Sequence, residues 1–403
     1  MRRPLEGIRV LDLTVWQQGT YATAMLAELG ADVVKVEETV SGDPGRHFAV
    51  ARDLGLSPYF EAHNHGKRSV AIDLKHPQGR AVLLRLAESA DIFLNNFRVG
   101  AIERLGLTYE AVSAANPRIV YVQASGHGHY GDDADAGSFD ILAQARGGIM
   151  SVMGEPDGPP GYTGVPIADQ VGALHACIAA LAGIASRNIT GAGMKFDTSL
   201  LGSQISLQSF DITRYLFTGQ QRRRETRGGA TPFWRSYRAG DGRWFVIGML
   251  LQRAWPEVAQ AIGRSELEHD PRFDTYRKRS AEHAADLITI LDEAFLSAPA
   301  AEWVRRLNDV GMFAAPVQDY AQVTEDRQVL DNGYISEVEH PGHDPVRIAG
   351  IGISADGEPL TVRRLASDHG ADSEAVMLEA GYSWDEITRL RADGVIGPAH
   401  NPQ

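Results

Sequence analysis

The chain has 403 residues, of which 43% are hydrophobic and 23% are charged, and its formal net charge is −13 at pH 7. These values are typical of a globular protein with a large core, and the length predicts two or three domains. The acidic balance excludes general nucleic-acid binding, because phosphate backbones are bound by net basic surfaces. The sequence has no uninterrupted apolar run of membrane-spanning length, so we expect no membrane partner.

The single cysteine, Cys177, excludes an internal disulfide and disfavours a structural zinc site. It lies in an apolar helical segment, which favours a core position over a nucleophilic one. The basic first residues lead into a predicted strand without an apolar signal region. A cytoplasmic location is therefore expected.

The first forty residues have the order strand, loop, helix, strand. Residues 8–13 form a short apolar run, residues 21–29 have apolar positions at helical spacing, and residues 32–37 form a second apolar run. This order is Rossmann-like, but a dinucleotide site needs three glycines as G-x-G-x-x-G after the first strand. The loop here contains only Gly19. A ligand other than NAD is predicted.

Strand and helix patterns continue to alternate as far as residue 122. Strands are predicted at 69–74, 91–94 and 118–122, with a helix opening at His76-Pro77 and a short one at 101–105. The alternation predicts a doubly wound parallel sheet, whose ligands bind beyond the carboxyl ends of its strands.

A second composition begins after residue 228. Residues 240–242 (GDG) lie between two aromatic-rich runs and predict a hairpin, helices follow, and Ser383 and Glu386 form a capping box for a last helix. The predicted organisation is a large Rossmann-like domain at 1–200, a linker at 201–228, a small α+β domain at 229–323, and a segment at 324–403 that returns to the large domain.

No metal site is predicted. The two close histidine pairs, at 63/65 and 127/129, lack a matching carboxylate or cysteine spacing, and no G-x-S-x-G nucleophile motif is present. Asp169 precedes an apolar helix, which is typical of an N-cap. A carboxylate at a helix N-terminus also stays ionised and able to attack an activated acyl group. The local pattern leaves both interpretations of Asp169 open.

Six basic residues fall within one short stretch of this acidic chain. They are either solvated faces and helix caps, or a local anion site for phosphates. The six are Lys67, Arg68, Lys75, Arg80, Arg98 and Arg104.

Short blocks in a fixed order carry a family resemblance over nearly the whole chain. They are residues 4–12 (PLEGIRVLD), 29–37 (LGADVVKVE), 67–69 (KRS), 90–92 (ADI), 96–98 (NFR), 100–101 (GA), 116–118 (NPR), 143–145 (AQA), 197–200 (DTSL) and 379–382 (EAGY). The chain resembles the class III CoA-transferases, which include formyl-CoA and carnitine CoA-transferases and the α-methylacyl-CoA racemases. The resemblance implies an α/β fold, with a Rossmann-like parallel sheet and a smaller α+β domain, in an interlocked ring-shaped homodimer.

The resemblance also implies the substrates and the site. An acyl-CoA and a carboxylic acid are the expected partners, with coenzyme A as a substrate and no tightly bound cofactor. Asp169 matches the nucleophile and Gln17 the loop over the thioester. The matched CoA contacts are Gln18, Ile72, Asp73, Leu74, Lys75, Asn96, Phe97, Arg98 and Arg104, and Trp16, Phe139 and Asp140 are expected near the substrate.

Three positions depart from formyl-CoA transferase. Glu38 replaces an arginine that contacts CoA, Gly137 replaces a lysine, and residues 248–251 (GMLL) lack the tetraglycine loop, which argues against formate or oxalate as substrate. Racemases place a histidine where this chain has Phe139, which cannot transfer a proton. Transfer is therefore favoured over two alternatives, an acyl-CoA epimerase and a non-catalytic CoA-binding protein.

Overall fold

The computed structural model describes residues 3–225, 231–248, 255–341 and 344–397. The chain divides into two compact units. The first contains Met1–Ile149, Tyr162–Gly219 and Arg327–Gln403, and the second contains Met150–Gly161 and Gln220–Asp326. The segment 248–251, which lacks the tetraglycine loop of formyl-CoA transferase, lies largely outside the described residues.

The first unit begins with alternating strands and helices. They are β1 (Arg9–Leu13), α1 (Gln18–Glu28), β2 (Asp32–Glu37), α2 (Pro58–Asn64), β3 (Arg68–Ala71), α3 (Pro77–Ala87), β4 (Ile92–Asn95), α4 (Val99–Arg104), α5 (Tyr109–Ala115), β5 (Val120–Ser125), α6 (Asp140–Arg146), α7 (Ile167–Thr190), β6 (Met194–Ser199), α8 (Leu200–Leu207) and α9 (Ser209–Thr218).

The remaining elements belong to the second unit and then to the end of the first. The second unit contains β7 (Trp234–Arg238), β8 (Trp244–Gly248), α10 (Trp255–Ala261), α11 (Ala284–Phe295), α12 (Ala300–Asp309), β9 (Ala314–Pro316) and α13 (Tyr320–Val323). The first unit ends with α14 (Arg327–Asp331), β10 (Ile335–Val338), β11 (Val346–Ala349), β12 (Ser354–Ala355), β13 (Glu358–Pro359), α15 (Ser373–Glu379) and α16 (Trp384–Ala392).

The first unit is built on a six-stranded sheet with the order β3-β2-β1-β4-β5-β6, and every neighbouring pair is parallel. This is the doubly wound α/β architecture that the sequence predicts. The strand order reverses between β1 and β4, where the carboxyl ends of the two strands leave a crevice in such sheets.

Alternation along the strands divides the core between the two faces of the sheet. On one face, Val10, Leu94 and Val122 pack with apolar residues of α1 and α7. On the other, Leu11 and Phe93 pack with apolar residues of α3, α5, α15 and α16. Successive side chains of a strand point to opposite faces, so a strand buried on both sides is apolar throughout.

Helix α7 is the longest helix in the described part of the chain and packs against α1, β5 and β6. By length and composition alone it could cross a membrane, although no uninterrupted apolar run of that length was noted in the sequence. Its buried face consists largely of small residues such as Gly172, Ala176 and Gly183. A Cβ on Gly183 would overlap the side chain of Val120 on β5. The apolar character therefore serves close packing of a helix on the sheet.

In the second unit, β7, β8 and β9 form an antiparallel sheet. The predicted hairpin is confirmed: β7 and β8 are joined through residues 239–243, where the Ala239 N–H donates to the Arg243 carbonyl over 2.8 Å. Four aromatic side chains, Tyr237, Phe245, Phe295 and Trp303, are almost fully buried beneath this sheet.

Several elements were not predicted. Strand β6 is polar and largely exposed, so it lacks the apolar run that marks the other strands. Helices α2 and α5 have seven residues each, too few for a clear apolar stripe. The segment 201–228, predicted as a linker, contains most of α8 and all of α9. The capping box at Ser383 and Glu386 is confirmed at the start of α16.

Candidate active site

The loop that follows β1 is held by side chains at nearly every backbone group. Asp12 accepts from the Thr14 N–H over 2.9 Å, and Lys35 Nζ donates to the Thr14 carbonyl over 2.7 Å. Asn96, after β4, clamps both polar groups of Val15, accepting from its N–H over 2.9 Å and donating to its carbonyl over 2.7 Å. The predicted CoA-contacting Asn96 therefore positions the loop from the other side of the crevice.

Two buried ion pairs lie beneath this loop. Lys67 Nζ is 2.8 Å from Asp12 Oδ2, and Lys35 Nζ is 2.8 Å from Asp43 Oδ2, with all four side chains at most 1% exposed. Burial opposes ionisation of Asp12, but Lys67 and Lys35 outweigh it and hold its pKa below the usual range. Lys67 is thus part of the core and not of an anion site.

The neighbouring Arg68 is also committed to the fold. Its guanidinium pairs with Asp32, over 3.2 Å, and with Glu379 on α15, over 2.8 Å. The run of six basic residues therefore contains two structural members, Lys67 and Arg68, for which the phosphate interpretation is wrong.

Trp16 follows in a left-handed backbone conformation, with φ of 64°. Its N–H donates to Asp43 Oδ1 over 3.4 Å, and its ring meets the rings of Tyr59 and Phe139 edge to face, at 6.5 Å between centroids in both cases. A non-glycine residue adopts this conformation only where its surroundings enforce it. The result is an aromatic cluster at the end of β1.

This cluster borders a cavity of about 400 Å³ at the switch point of the sheet. The cavity brings together predicted residues from distant parts of the chain. Its lining includes Trp16, Gln17, Gln18, Asn96, Phe97, Arg98, Phe139 and Asp169, together with Tyr59, Ser125, Gly126, Ser138 and Leu200. Tyr59 is on α2, a helix that the sequence pattern did not reveal, and it was not predicted.

Asp169 lies in the first turn of α7, but it is not the N-cap of that helix. The cap position is Pro166, and the capping carboxylate comes from Asp140 on α6. Asp140 Oδ1 accepts from the Ala168 N–H over 2.6 Å and from the Asp169 N–H over 3.1 Å, while Oδ2 accepts from Gln144 Nε2 over 2.6 Å. The N-cap interpretation of Asp169 is wrong, because Asp140, expected near the substrate, caps α7 and lies next to Asp169.

The carboxylate of Asp169 faces the first cavity. Within the described residues its oxygens accept no hydrogen bond, and it lines the cavity. Burial and the neighbouring charge of Asp140 raise the pKa of Asp169 to about 7. The expectation of a permanently ionised carboxylate is therefore wrong: near neutral pH, Asp169 is divided between its protonated and ionised forms.

The N-terminus of α1 also opens on this cavity. Gln17 is its N-cap residue and provides no side-chain cap, and Gln18 is its first helical residue. Both are only 4% exposed. Gly19 lets the helix start this close to β1, because a Cβ there would overlap the side chain of Thr14. Uncapped N–H groups at a helix N-terminus are donors for an anion.

A second cavity, of about 360 Å³, lies beyond the carboxyl ends of β1, β2 and β3. Its lining includes the predicted residues Ile72, Asp73, Leu74, Lys75 and Phe97, together with Glu38. The Glu38 carboxylate accepts from the backbone N–H groups of Val40 and Gly42, over 3.0 and 2.8 Å, and from Ser41. These bonds overcome partial burial and lower the pKa of Glu38 to about 2. Glu38 therefore organises its own loop.

A third cavity, of about 400 Å³, has a cationic lining. It is lined by Lys75, Arg80 and Arg104, with Phe97, Ala101 and Leu105 between them, and no acidic residue of the described chain belongs to the lining. It shares Lys75, Phe97 and Leu105 with the second cavity, and Phe97 and Ala101 with the first. Arg80 belonged to the basic run for which an anion site was one interpretation, but it was not among the residues matched to CoA contacts.

Arg98 does not join those three cations. It lines the first cavity, with Asp169. A Cβ on residue 137 would overlap Nη2 of Arg98, so the guanidinium fills the space that a side chain at this position needs. The guanidinium of Arg98 can therefore take this position because residue 137 is a glycine.

Comparisons with known proteins show the family of the chain. Residues 5–373 match the family described as CoA-transferase family III. The chain belongs to this family. A succinyl-CoA–D-citramalate CoA-transferase of Chloroflexus aurantiacus is 30% identical over 98% of both chains, and a formyl-CoA:oxalate CoA-transferase of Streptomyces avermitilis is 32% identical over 98% of this chain and all of that one. A CaiB/BaiF family protein of Brucella suis has a TM-score of 0.83 at 28% identity, covering 94% of this chain and all of that one.

The lining of the first cavity in this family III member includes no histidine and no cysteine of the described residues. Among the described residues no cluster of three or more histidine, cysteine or acidic side chains could hold a metal ion. His65 and His129 each have a carboxylate neighbour, Glu28 at 2.8 Å and Asp197 at 3.1 Å, which the sequence analysis did not foresee. Cys177 is buried, and burial raises the pKa of its thiol to about 12, in agreement with a core position.

We predict a pH dependence set by Asp169. Because the nucleophile that the family resemblance implies acts only in its ionised form, kcat/KM for acyl-CoA should rise through about pH 7 and then level off. Asp140→Asn keeps an oxygen for capping but removes the negative charge, so the midpoint should move to lower pH. The check is a kcat/KM profile of both proteins, and coincident midpoints would contradict this account of Asp169.

Proposed function

We propose that this protein transfers CoA from an acyl-CoA to a carboxylic acid by covalent catalysis at Asp169. The observation that carries the proposal is the buried carboxylate of Asp169, which has no hydrogen-bond partner among the described residues and lines the first cavity. This cavity adjoins the third cavity, which is lined by three cations. A nucleophile and a phosphate-binding surface are the two features that acyl-CoA chemistry needs. The named relatives act on succinyl-CoA and formyl-CoA, in agreement with this reaction class.

The reaction is a series of acyl exchanges. Asp169 attacks the thioester carbonyl, and CoA leaves as a thiolate, giving a mixed anhydride. The thiolate then attacks the Asp169 carbonyl, releases the first carboxylic acid and forms an aspartyl-CoA thioester. The acceptor carboxylate repeats these two steps in reverse, so that the new acyl-CoA is formed and Asp169 is regenerated. Each step exchanges one activated acyl group for another, so no external energy source is required.

The surroundings of Asp169 suit this sequence. The uncapped N–H groups at Gln17 and Gln18 can donate hydrogen bonds to a carbonyl oxygen on which negative charge develops. The rings of Trp16, Tyr59 and Phe139 line the same cavity, but Trp16 and Phe139 are 39% and 64% exposed, so protection of the anhydrides from water requires a further covering surface. Phe139 has no proton to exchange, which disfavours epimerisation at the α-carbon.

Substitution of Asp169 tests the mechanism. Asp169→Ala should retain CoA binding but lose transfer by at least about 1,000-fold, since the nucleophile is absent. It should also fail to give the hydroxamate that hydroxylamine forms with wild-type protein incubated with acyl-CoA. Its melting temperature should stay at or above the wild-type value, because the cap of α7 is Asp140.

The two alternatives predict different results. An epimerase would incorporate deuterium at the α-carbon of acyl-CoA without any acceptor acid. A non-catalytic CoA-binding protein would show no transfer in the wild type, in a mass-spectrometric screen for CoA exchange across a panel of acids. Wild-type turnover by Asp169→Ala would rule out the covalent mechanism.

The three cations of the third cavity are proposed as the phosphate site of CoA. Lys75 and Arg104 come from the predicted set, and Arg80 on α3 completes it. Within the described residues, the Arg80 guanidinium donates only to the Lys75 carbonyl, over 3.3 Å, which leaves other donors of the guanidinium for a ligand. Arg98, in the first cavity, is closer to the reacting end of the same substrate.

Arg80→Gln should therefore weaken CoA binding about 10-fold, the magnitude of one charge-assisted hydrogen bond. The loss should be smaller when salt is raised, because phosphate contacts are screened. Isothermal titration with CoA measures both effects. Arg305→Gln, on an exposed helix of the second unit, removes the same charge and serves as the control. Equal affinities for the two variants would contradict the assignment.

We also propose a homodimer, on the evidence of an apolar helical surface. None of the residues of α9 is buried, and Phe210, Leu216 and Phe217 are 74%, 72% and 84% exposed. On α7, Leu174 and Ile178 share one face and are 47% and 61% exposed. Helices α6, α7, α8 and α9 contact one another in sequence. An exposed apolar surface of this extent is typical of a protein–protein interface.

Ile178→Glu combined with Phe217→Glu places two charges on that surface. Wild-type protein should sediment at twice the mass of one chain, and the double variant as a monomer, because burying unpaired charges opposes association. Val40→Glu, at an equally exposed position away from these helices, should remain a dimer. A wild-type monomer, or a double variant that stays dimeric, would refute this interface.

A further inference from the structure

We infer that the side-chain amide of Gln18 is a catalytic hydrogen-bond donor to the carbonyl oxygen of Asp169 while that carboxyl is covalently modified. The inference rests on the proposed function, and it concerns the half of the chemistry that takes place on the enzyme's own carboxyl group. The α1 backbone donors described above serve the carbonyl of the substrate, and a second carbonyl needs a donor of its own.

The carbonyl of Asp169 carries a negative charge twice in each cycle. When the CoA thiolate adds to Cγ of the anhydride, the electron pair of the C=O bond moves to oxygen, and collapse breaks the Cγ–O bond and expels the first carboxylate. When the acceptor carboxylate adds to the aspartyl thioester, the same oxygen becomes negative, and collapse breaks the Cγ–S bond and expels the thiolate. A fixed donor beside Cγ therefore lowers both barriers.

Gln18 is buried beside the turn that carries Asp169. Its side chain is 4% exposed and borders the cavity, and its Nε2 is buried with no hydrogen-bond partner in the described residues. The amide packs on α7 at Gly172, three residues after Asp169, where a Cβ would lie 2.8 Å from Nε2 and 3.0 Å from Cγ of Gln18. Gly172 thus makes room for this amide one turn from the nucleophile.

An unsatisfied buried amide destabilises a fold, so an apolar residue of the same shape would serve packing better. A ligand atom that accepts the hydrogen bond during the reaction accounts for the amide. A half-turn about the bond to the amide carbon exchanges Nε2 and Oε1 without changing the volume of the group, so the donor can turn from Gly172 to the cavity. The unpaired amide then destabilises the resting enzyme, and it gains its hydrogen-bond acceptor in the transition state.

Gln18→Met tests the inference, because it keeps the volume and removes the donor. The variant should have a melting temperature equal to or above that of the wild type, yet its kcat should fall about 100-fold, the usual loss for one oxyanion donor. KM for acyl-CoA should change by less than about 3-fold, since the substrate carbonyl keeps its backbone donors. In a single turnover without acceptor acid, the aspartyl-CoA adduct detected by mass spectrometry should form correspondingly slowly.

Gln123→Met is the matched control. Gln123 on β5 is 3% exposed and its Nε2 is also buried without a partner in the described residues, but it does not line the cavity. Its replacement should match Gln18→Met in stability and leave kcat unchanged. A lower melting temperature with unchanged kcat in Gln18→Met would overturn the catalytic role and make the amide structural. Absence of transfer in the wild type would instead refute the proposed function.

Discussion

The two buried lysine–aspartate pairs beneath the loop after β1 are the constraint on which the rest of the site depends. Removing two opposite charges from water is costly, and it is tolerated only where each charge has a full set of hydrogen bonds. Lys67 meets this condition with Asp12, Asn64 Oδ1 and the Thr20 carbonyl, at 2.7 to 2.8 Å. Lys35 has two partners, Asp43 Oδ2 and the Thr14 carbonyl. The loop is thereby held at Thr14, and Asp43 also accepts from the N–H of Trp16, the residue with left-handed geometry.

The carboxylate of Asp140 affects both the stability of helix α7 and the pKa of Asp169. Asp140 satisfies the first N–H groups of α7, and its charge is also one of the two causes that bring the pKa of Asp169 to about 7. A cap supplied by another helix leaves the carboxylate of Asp169 free of the backbone. The proposed nucleophile can then face a cavity while the N-terminus of its helix still has a capping acceptor.

The sequence predicted the sheet because its strands are apolar runs between helix signals, and it predicted Asp169 and Gln17 because the family blocks fixed their register. Other features depend on three-dimensional placement. Lys67 looked like a phosphate ligand, since nothing local reveals that Asp12 faces it in the core. Asp140 could not be recognised as the cap of a helix that starts 27 residues later. Tyr59 and Arg80 became visible as lining residues only when α2 and α3 were placed around the switch point.

The acceptor role of Glu38 has a consequence for the rim of the second cavity. An arginine at position 38 would leave the backbone N–H groups of Val40 and Gly42 without their carboxylate acceptor. A side chain at position 137, by contrast, would meet the flexible end of Arg98, which can turn aside. An exchange at 137 therefore changes side-chain packing, whereas an exchange at 38 changes the path of the backbone beside the second cavity.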